Sequence, residues 1–149
     1  MAIFDYLDRN LVTKIEAQNR NEALRSLVDL LYKAGKIPDK EAFYQAILQR
    51  EKLVSTGVGM GVAIPHAKLP NYTDFFIAIG IQKEEGIDWD SLDGAPVRLI
   101  FMIGGPDYKQ TEYLKLLSQL TMAIKDEKRR KKIMQIEQLD EIIPLFKEL

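Results

Sequence analysis

The chain has 149 residues, close to the ~150 of one typical domain, and 21 Lys+Arg against 22 Asp+Glu give a formal charge of −1. It has no Cys and one His, which excludes disulfides, thiol nucleophiles, Cys-type zinc sites and any multi-His metal centre, and leaves imidazole chemistry to His66 alone. Near-zero charge argues against a dedicated nucleic-acid binder, and the longest apolar stretch, Phe75 to Ile81, is far short of the ~20 residues of a membrane span. The start, MAIFDYLDRN, has neither a basic nor an apolar signal region, so the expected location is the cytoplasm.

Leu11 to Gln18 alternates loosely and predicts a short strand. Asn19 then caps a helix, with Glu22 three residues on as its capping-box partner. Leu24, Leu27, Val28 and Leu31 supply its apolar face, and Gly35 ends it in a left-handed conformation. Pro38-Asp39 opens a second helix whose stripe is Phe43, Ala46 and Ile47. Continuing that stripe lands on Arg50. A guanidinium on an inward phase either binds a carboxylate, phosphate or carbonyl, or snorkels at the helix end.

LVSTGVGMG (Leu53 to Gly61) places Gly57, Gly59 and Gly61 at alternate positions, which forbids a regular helix and lets the backbone approach something closely. Val62 to Ile64 is a short strand that ends at Pro65, and His66 follows. Phe75 to Ile81 and Val97 to Ile103 are strands, joined by a polar loop. GGPD (Gly104 to Asp107) breaks the second of them. Tyr113, Leu117, Leu120 and Ile124 mark an amphipathic helix, and KDEKRRKKIM continues helically as the second of three helices after the last strand. QLDEIIPLFKEL closes the chain as a short helix in which Pro144 either makes a kink or opens the last turn. The order predicts an α/β fold, a mixed β-sheet sandwiched by helices in two or three layers, as a single domain over 1–149.

Of the candidate chemistries, several fall away. GVGMG lacks the Gly-Lys-Ser/Thr of a nucleotide phosphate loop, and a helix precedes it where a dinucleotide fingerprint needs a strand. Neither ATP nor NAD is supported, and no cofactor or metal is expected. No Gly-x-Ser-x-Gly elbow accompanies the serines. The basic run Lys125 to Lys132 reads as a solvated helix face, with partner docking as the alternative. His66 stands out because it follows Pro, has small neighbours in Gly61, Ala63 and Ala67, and lies within the chain's reach of Arg50 and the glycine loop. A neutral imidazole is a good nucleophile, attack on a phosphoryl group gives phosphohistidine, and Arg50 and the loop amides suit its oxygens.

REKLVSTGVGMGVAIPHAK (Arg50 to Lys68) closely resembles the signature of the fructose/mannitol-type enzyme IIA domain of the bacterial sugar phosphotransferase system, a family that includes the nitrogen-regulatory IIA proteins. The resemblance extends through the preceding helix pair, EEGIDWDSLDGAPVRLIFMIGGP and the YLKLLSQL helix. It implies a phosphotransferase component in which His66 accepts phosphate from the histidine phosphocarrier protein and passes it to an enzyme IIB, with Arg50 stabilising the phosphoryl group. The alternative it allows is a regulatory protein whose His66 phosphorylation switches binding to a target protein. Neither role involves nucleic acid or membrane insertion. Many members carry a second His where this chain has Tyr113, which can donate one hydrogen bond but bears no positive charge. Ser55 and Thr56 are either additional hydroxyl donors to the phosphoryl group, beside Gly57, Gly59 and Gly61, or caps of the loop. Val58 and Met60, apolar and near the loop, are either a partner surface or ordinary packing.

Overall fold

The two apolar runs form the middle of a mixed sheet in the computed structural model, which describes residues 2–83 and 85–147. The strands are β1 (Val12–Ile15), β2 (Gly57–Gly59), β3 (Val62–Ala63), β4 (His66–Leu69), β5 (Phe76–Gln82) and β6 (Leu99–Pro106). The helices are α1 (Arg20–Lys33), α2 (Lys40–Leu53), α3 (Gln110–Lys125) and α4 (Glu127–Gln135). The sheet runs β1-β5-β6-β3-β2, and β4 also pairs with β6. β1 lies parallel to β5, β5 antiparallel to β6, β3 and β4 parallel to β6, and β2 antiparallel to β3.

The pleat of β5 and β6 sends alternate side chains to two cores. Phe76, Ala78, Ile100 and Met102 meet Leu24, Leu27, Val28, Leu31, Phe43 and Ile47 of α1 and α2. Ile77, Ile79, Ile81, Leu99, Phe101 and Ile103 meet Leu116, Leu120, Ala123 and Ile124 of α3 on the other side. Helices therefore cover both faces, the three-layer form of the expected α/β sandwich.

Local signals explain the first two helices. Asn19 accepts from Glu22 N–H at 2.9 Å and Asp39 from Ala42 N–H at 3.0 Å, so each helix start has its orphan donor filled. Gly35 has φ +75°, and Lys36 N–H donates to Leu31 O at 3.0 Å, which closes α1 with a Schellman turn.

Three expectations need correction. GGPD does not break the second run, since β6 continues through Gly104 and Gly105 to Pro106. The glycines admit aromatic rings: a Cβ at Gly104 would lie 2.4 Å from the Phe76 ring and 2.8 Å from that of Phe43. The glycine stretch is not wholly loop, because β2 and β3 form a small hairpin whose tip, Met60 and Gly61, has φ of 61° and 76°, the left-handed pair a tight hairpin turn requires. The basic run is helical as expected and forms its own helix, the second after the last strand. Asp126 is extended and caps a separate helix by accepting from Arg129 N–H at 3.3 Å. Finally, the chain closes in short 3-10 turns, Leu139–Glu141 and Ile143–Phe146, rather than one helix; Pro144 cannot donate into a continuous α ladder, and residues 148 and 149 lie outside the described residues.

The split between α3 and α4 gives two of the run's cations a structural use. Arg129 donates to Ala123 O at 3.1 Å and Leu145 O at 2.8 Å, and Arg130 to Ile124 O at 2.5 Å. The Ala123 and Ile124 carbonyls are at the end of α3, where positive charge also suits the helix dipole, and Leu145 O belongs to the closing 3-10 turn. No helix among the described residues is long and apolar enough to cross a membrane.

Candidate active site

His66 opens β4, the second half of an interrupted edge along β6. β3 pairs with Leu99–Ile100, Pro65 interrupts the edge while its carbonyl accepts from Ile103 N–H at 2.9 Å, and β4 resumes at Ile103. The backbone on both sides of the imidazole is thus held by the central strand. The carboxy-terminal turn of α2 delivers Arg50, whose Nε lies 3.1 Å from His66 Nε2 and whose Nη1 donates to Val54 O at 2.8 Å. The Val54 carbonyl at the helix end fits both readings of Arg50, and the contact with the imidazole belongs to neither.

The contact assigns the tautomer. Guanidinium nitrogens only donate, so Nε2 presents its lone pair to Arg50. The proton is then on Nδ1, which faces Ile64 O at 3.2 Å. Burial lowers the imidazole's affinity for a second proton, and the nearby Arg50 and Lys68 charges add to that, against the opposing hydrogen bond to Ile64. The ring therefore stays neutral, with Nε2 unprotonated, as pH falls past its ordinary titration point of about 6.5.

Because this is the only imidazole in the chain, its titration is read from a single Cε1–H resonance. The expected midpoint lies below 6.5, and a midpoint at or above that value contradicts the burial argument. The same shift sets a stability dependence. As pH falls from 6.5 toward the folded midpoint the unfolded chain holds more proton than the folded one, so stability declines across that window and is fully present above it.

Tyr113, in the first turn of α3, is buried with its ring centroid 5.8 Å from that of His66 and 5.9 Å from that of Phe75. Burial raises its phenol's hold on its proton, while the Arg50 charge works the other way. Lys68 completes the group, with Nζ 4.1 Å from the centre of the Tyr113 ring and donating to Gln110 Oε1 at 2.9 Å. Beside these residues is an open cleft of about 470 Å³ lined by Ala46, Gln49, Arg50, Leu53, His66 and Lys68.

The structure brings Arg50, His66 and Tyr113 together. It engages the hydroxyls of Ser55 and Thr56 elsewhere. Ser55 Oγ donates to Trp89 O and accepts from Gly57 N–H at 3.1 Å. Thr56 Oγ1 donates to Glu51 Oε2 and accepts from Trp89 Nε1 at 3.1 Å, while Thr56 N–H donates to Glu51 Oε1 at 3.1 Å. The close approach that the glycines permit is to the chain's own 91–96 turn: a Cβ on Gly57 would lie 2.3 Å from Ser91 Oγ, one on Gly59 3.0 Å from Asp93 Oδ2, and one on Gly61 3.6 Å from Pro96 O. Asp93 also accepts from Met60 N–H at 2.9 Å, and the glycine hairpin is thereby fixed against that turn. Val58 and Met60 lie on it, 43% and 42% exposed, and Arg130 Nη1 of α4 donates to Met60 Sδ at 3.5 Å.

These contacts involve residues that sequence reasoning passes over. Glu51, beside Arg50 in the signature, is 4% exposed and holds the loop through Thr56. Trp89 is fully buried beneath the same loop. Replacing Glu51 by Leu leaves the Thr56 N–H and Oγ1–H without their acceptor, at a cost of about 2–4 kcal/mol. Thermal unfolding should fall by roughly 5–15 °C; a melting point within a degree of wild type would show that the loop does not depend on that carboxyl.

The model of the phosphoenolpyruvate-dependent sugar phosphotransferase system EIIA 2 family matches residues 5–149. The chain belongs to this EIIA family. Among its relatives, the fructose-specific EIIABC component of Bacillus subtilis is 37% identical over 147 residues, 98% of this chain, but the chain spans only 23% of that protein's length. The fructose-specific EIIA component of Haloferax volcanii is 34% identical over 140 residues, covering 89% of this chain and 90% of that one. The crystal structure of the nitrogen regulatory protein IIA-Ntr from Neisseria meningitidis superposes with a TM-score of 0.88 at 27% identity, over 97% of this chain and 98% of that one. The EIIA fold is thus shared along nearly the whole chain, with fructose-specific and nitrogen-regulatory proteins both among its relatives.

Proposed function

We propose that residues 1–149 act as one phosphocarrier unit in which His66 Nε2 is the phosphoryl acceptor. The observation that carries this is the orientation of the only imidazole. Nδ1 is held by Ile64 O, so Nε2 alone offers a lone pair, and it does so next to a guanidinium at 3.1 Å beside an open cleft. The lone pair attacks phosphorus, an Nε2–P bond forms, and the P–N bond to the donor's phosphohistidine breaks, its electron pair returning to the donor imidazole. Nε2 carries no proton to displace. The positive charge that develops on the ring is shared with Nδ1–H and met by the Ile64 carbonyl. Onward transfer reverses the step, with the acceptor's nucleophile taking phosphorus and Nε2 recovering its electron pair.

The donor is the histidine phosphocarrier protein and the acceptor an enzyme IIB, which places the reaction in the cytoplasm. The exposed apolar side chains of Leu53, which lines the cleft, and Val54, whose carbonyl holds Arg50, form a docking rim beside it. Neither partner brings nucleic acid or a bilayer to the site, and the chemistry calls for no cofactor. The likeness to IIA-Ntr favours a second reading, in which phosphorylated His66 changes binding to a regulatory target and no sugar follows.

The test combines the protein with phosphoenolpyruvate, the general phosphotransferase enzyme and the histidine phosphocarrier protein, followed by a chase with a fructose-type IIB domain. One acid-labile phosphoryl group should appear at His66. Its rapid passage to IIB supports the carrier, its retention supports the regulator, and no incorporation overturns both.

A further inference from the structure

We propose that Lys68 is a second phosphoryl-binding cation of this site, stored on the face of Tyr113 until His66 is phosphorylated. The assignment rests on the phosphocarrier reading above and deepens it. His66 and Lys68 are two residues apart on β4, and a strand's period of two sends both side chains to the same face. Both meet the same ring: the His66 ring centroid is 5.8 Å and Lys68 Nζ 4.1 Å from that of Tyr113. Among the described residues the ammonium's one hydrogen-bonded partner is the neutral Gln110 Oε1 at 2.9 Å, and no carboxylate pairs with it. The first turn of α3 adds partial positive charge of its own there. A cation parked on an aromatic face and a neutral amide, with no anion of its own, is held loosely on a flexible four-carbon stem.

The charge count gives the position its meaning. A phosphoryl group bonded to Nε2 brings up to two negative charges into a partly buried cleft. Arg50, whose remaining partner is the Val54 carbonyl, supplies one positive charge. Tyr113 supplies none. Lys68 lines the same cleft as Arg50 and His66 and provides the second. The swing from Gln110 and the ring to a phosphoryl oxygen exchanges a neutral acceptor for a charged one, which makes a shorter and stronger hydrogen bond. On this account Tyr113 is a positioning residue: its ring holds the ammonium beside the imidazole while the site waits for phosphate.

The experiment measures the equilibrium constant for phosphoryl transfer from phosphorylated histidine phosphocarrier protein to wild type, Lys68→Met, Lys68→Arg and Tyr113→Leu, together with the imidazole titration of each unphosphorylated protein. Met keeps the length of the stem and removes the charge. The equilibrium should shift against the phosphorylated form by about tenfold in Lys68→Met, with most of the loss restored in Lys68→Arg. Tyr113→Leu should fall between wild type and Lys68→Met. The His66 midpoint should rise in Lys68→Met and stay near wild type in Lys68→Arg, a readout that needs no phosphorylation and that a purely structural role would not produce. An equilibrium for Lys68→Met within twofold of wild type overturns the assignment, as does a Lys68→Arg protein no better than Lys68→Met. If wild type itself takes up no phosphoryl group, the phosphocarrier reading fails and takes this assignment with it. If wild type is labelled and only the Lys68 comparison is flat, the assignment fails alone.

Discussion

Replacing His66 with Asn should abolish phosphoryl incorporation to below the detection limit while leaving the fold in place. The loss should be complete rather than partial because the chain has no other histidine and no cysteine to take over as nucleophile. Asn keeps a short polar side chain able to donate to Ile64 O, the partner that Nδ1 now has, but it has no basic lone pair at the Nε2 position. The fold should tolerate the change because β4 is held to β6 through backbone pairing, from His66↔Ile103 to Leu69↔Pro106, and because the half-buried imidazole contributes little packing of its own. Thermal unfolding within a few degrees of wild type and a blank phosphoryl label are the paired expectations. Normal labelling of His66→Asn would overturn the assignment of the nucleophile outright.

How far such a site can be read from sequence depends on whether each contact has a local cause. Asn19, Asp39 and Gly35 act within three or four residues of themselves, so the ends of the first helices follow from chemistry printed beside them. Arg50 is legible for a related reason: its phase on α2 is set by Phe43, Ala46 and Ile47, and a cation on that phase demands a partner. What phase cannot supply is the partner's identity, which depends on β4 docking against β6.

The residues that sequence reasoning passes over owe their roles to distant parts of the chain. Lys68 matters because α3 brings Tyr113 beneath it, 45 residues later in the chain by number. Glu51 matters because the loop folds back so that Thr56 reaches its carboxyl. The extension of β6 through Gly104 and Gly105 was hidden by the ordinary meaning of glycine as a breaker; here small residues make room for Phe43, Phe76 and Phe75, and the aromatic rings are remote in sequence. Asp126 is the opposite case. It is a sound helix cap, but embedded among strong helix formers it also passes as one exposed acid in a continuous helix.

Arg50→Ala should lower the second-order rate of phosphoryl transfer to His66 by about 10²–10³, the loss seen when one donor aimed at developing negative charge is removed. The geometry explains why the effect appears mainly in the transition state. Before reaction, Arg50 Nε donates to the Nε2 lone pair at 3.1 Å. That contact occupies the electrons the reaction needs, so it must give way as Nε2 turns to phosphorus. The released N–H then meets a phosphoryl oxygen in the same region, while Nη1 stays anchored on Val54 O and keeps the guanidinium from drifting. The interaction exchanged is a neutral acceptor for a charged one, so it is stronger at the transition state than in the ground state, which is the condition for raising rate rather than affinity. Arg50→Lys should recover only part of the loss, because an ammonium retains the charge but not the planar set of donors that can hold Val54 O and the phosphoryl oxygen together. The imidazole midpoint should rise in Arg50→Ala, since the guanidinium charge now opposes protonation of His66; this reports removal of the cation independently of any transfer. Presteady-state transfer rates within about twofold of wild type, alongside that raised midpoint, would show that the guanidinium sets the resting state of the imidazole and leaves stabilisation of the phosphoryl group to other residues.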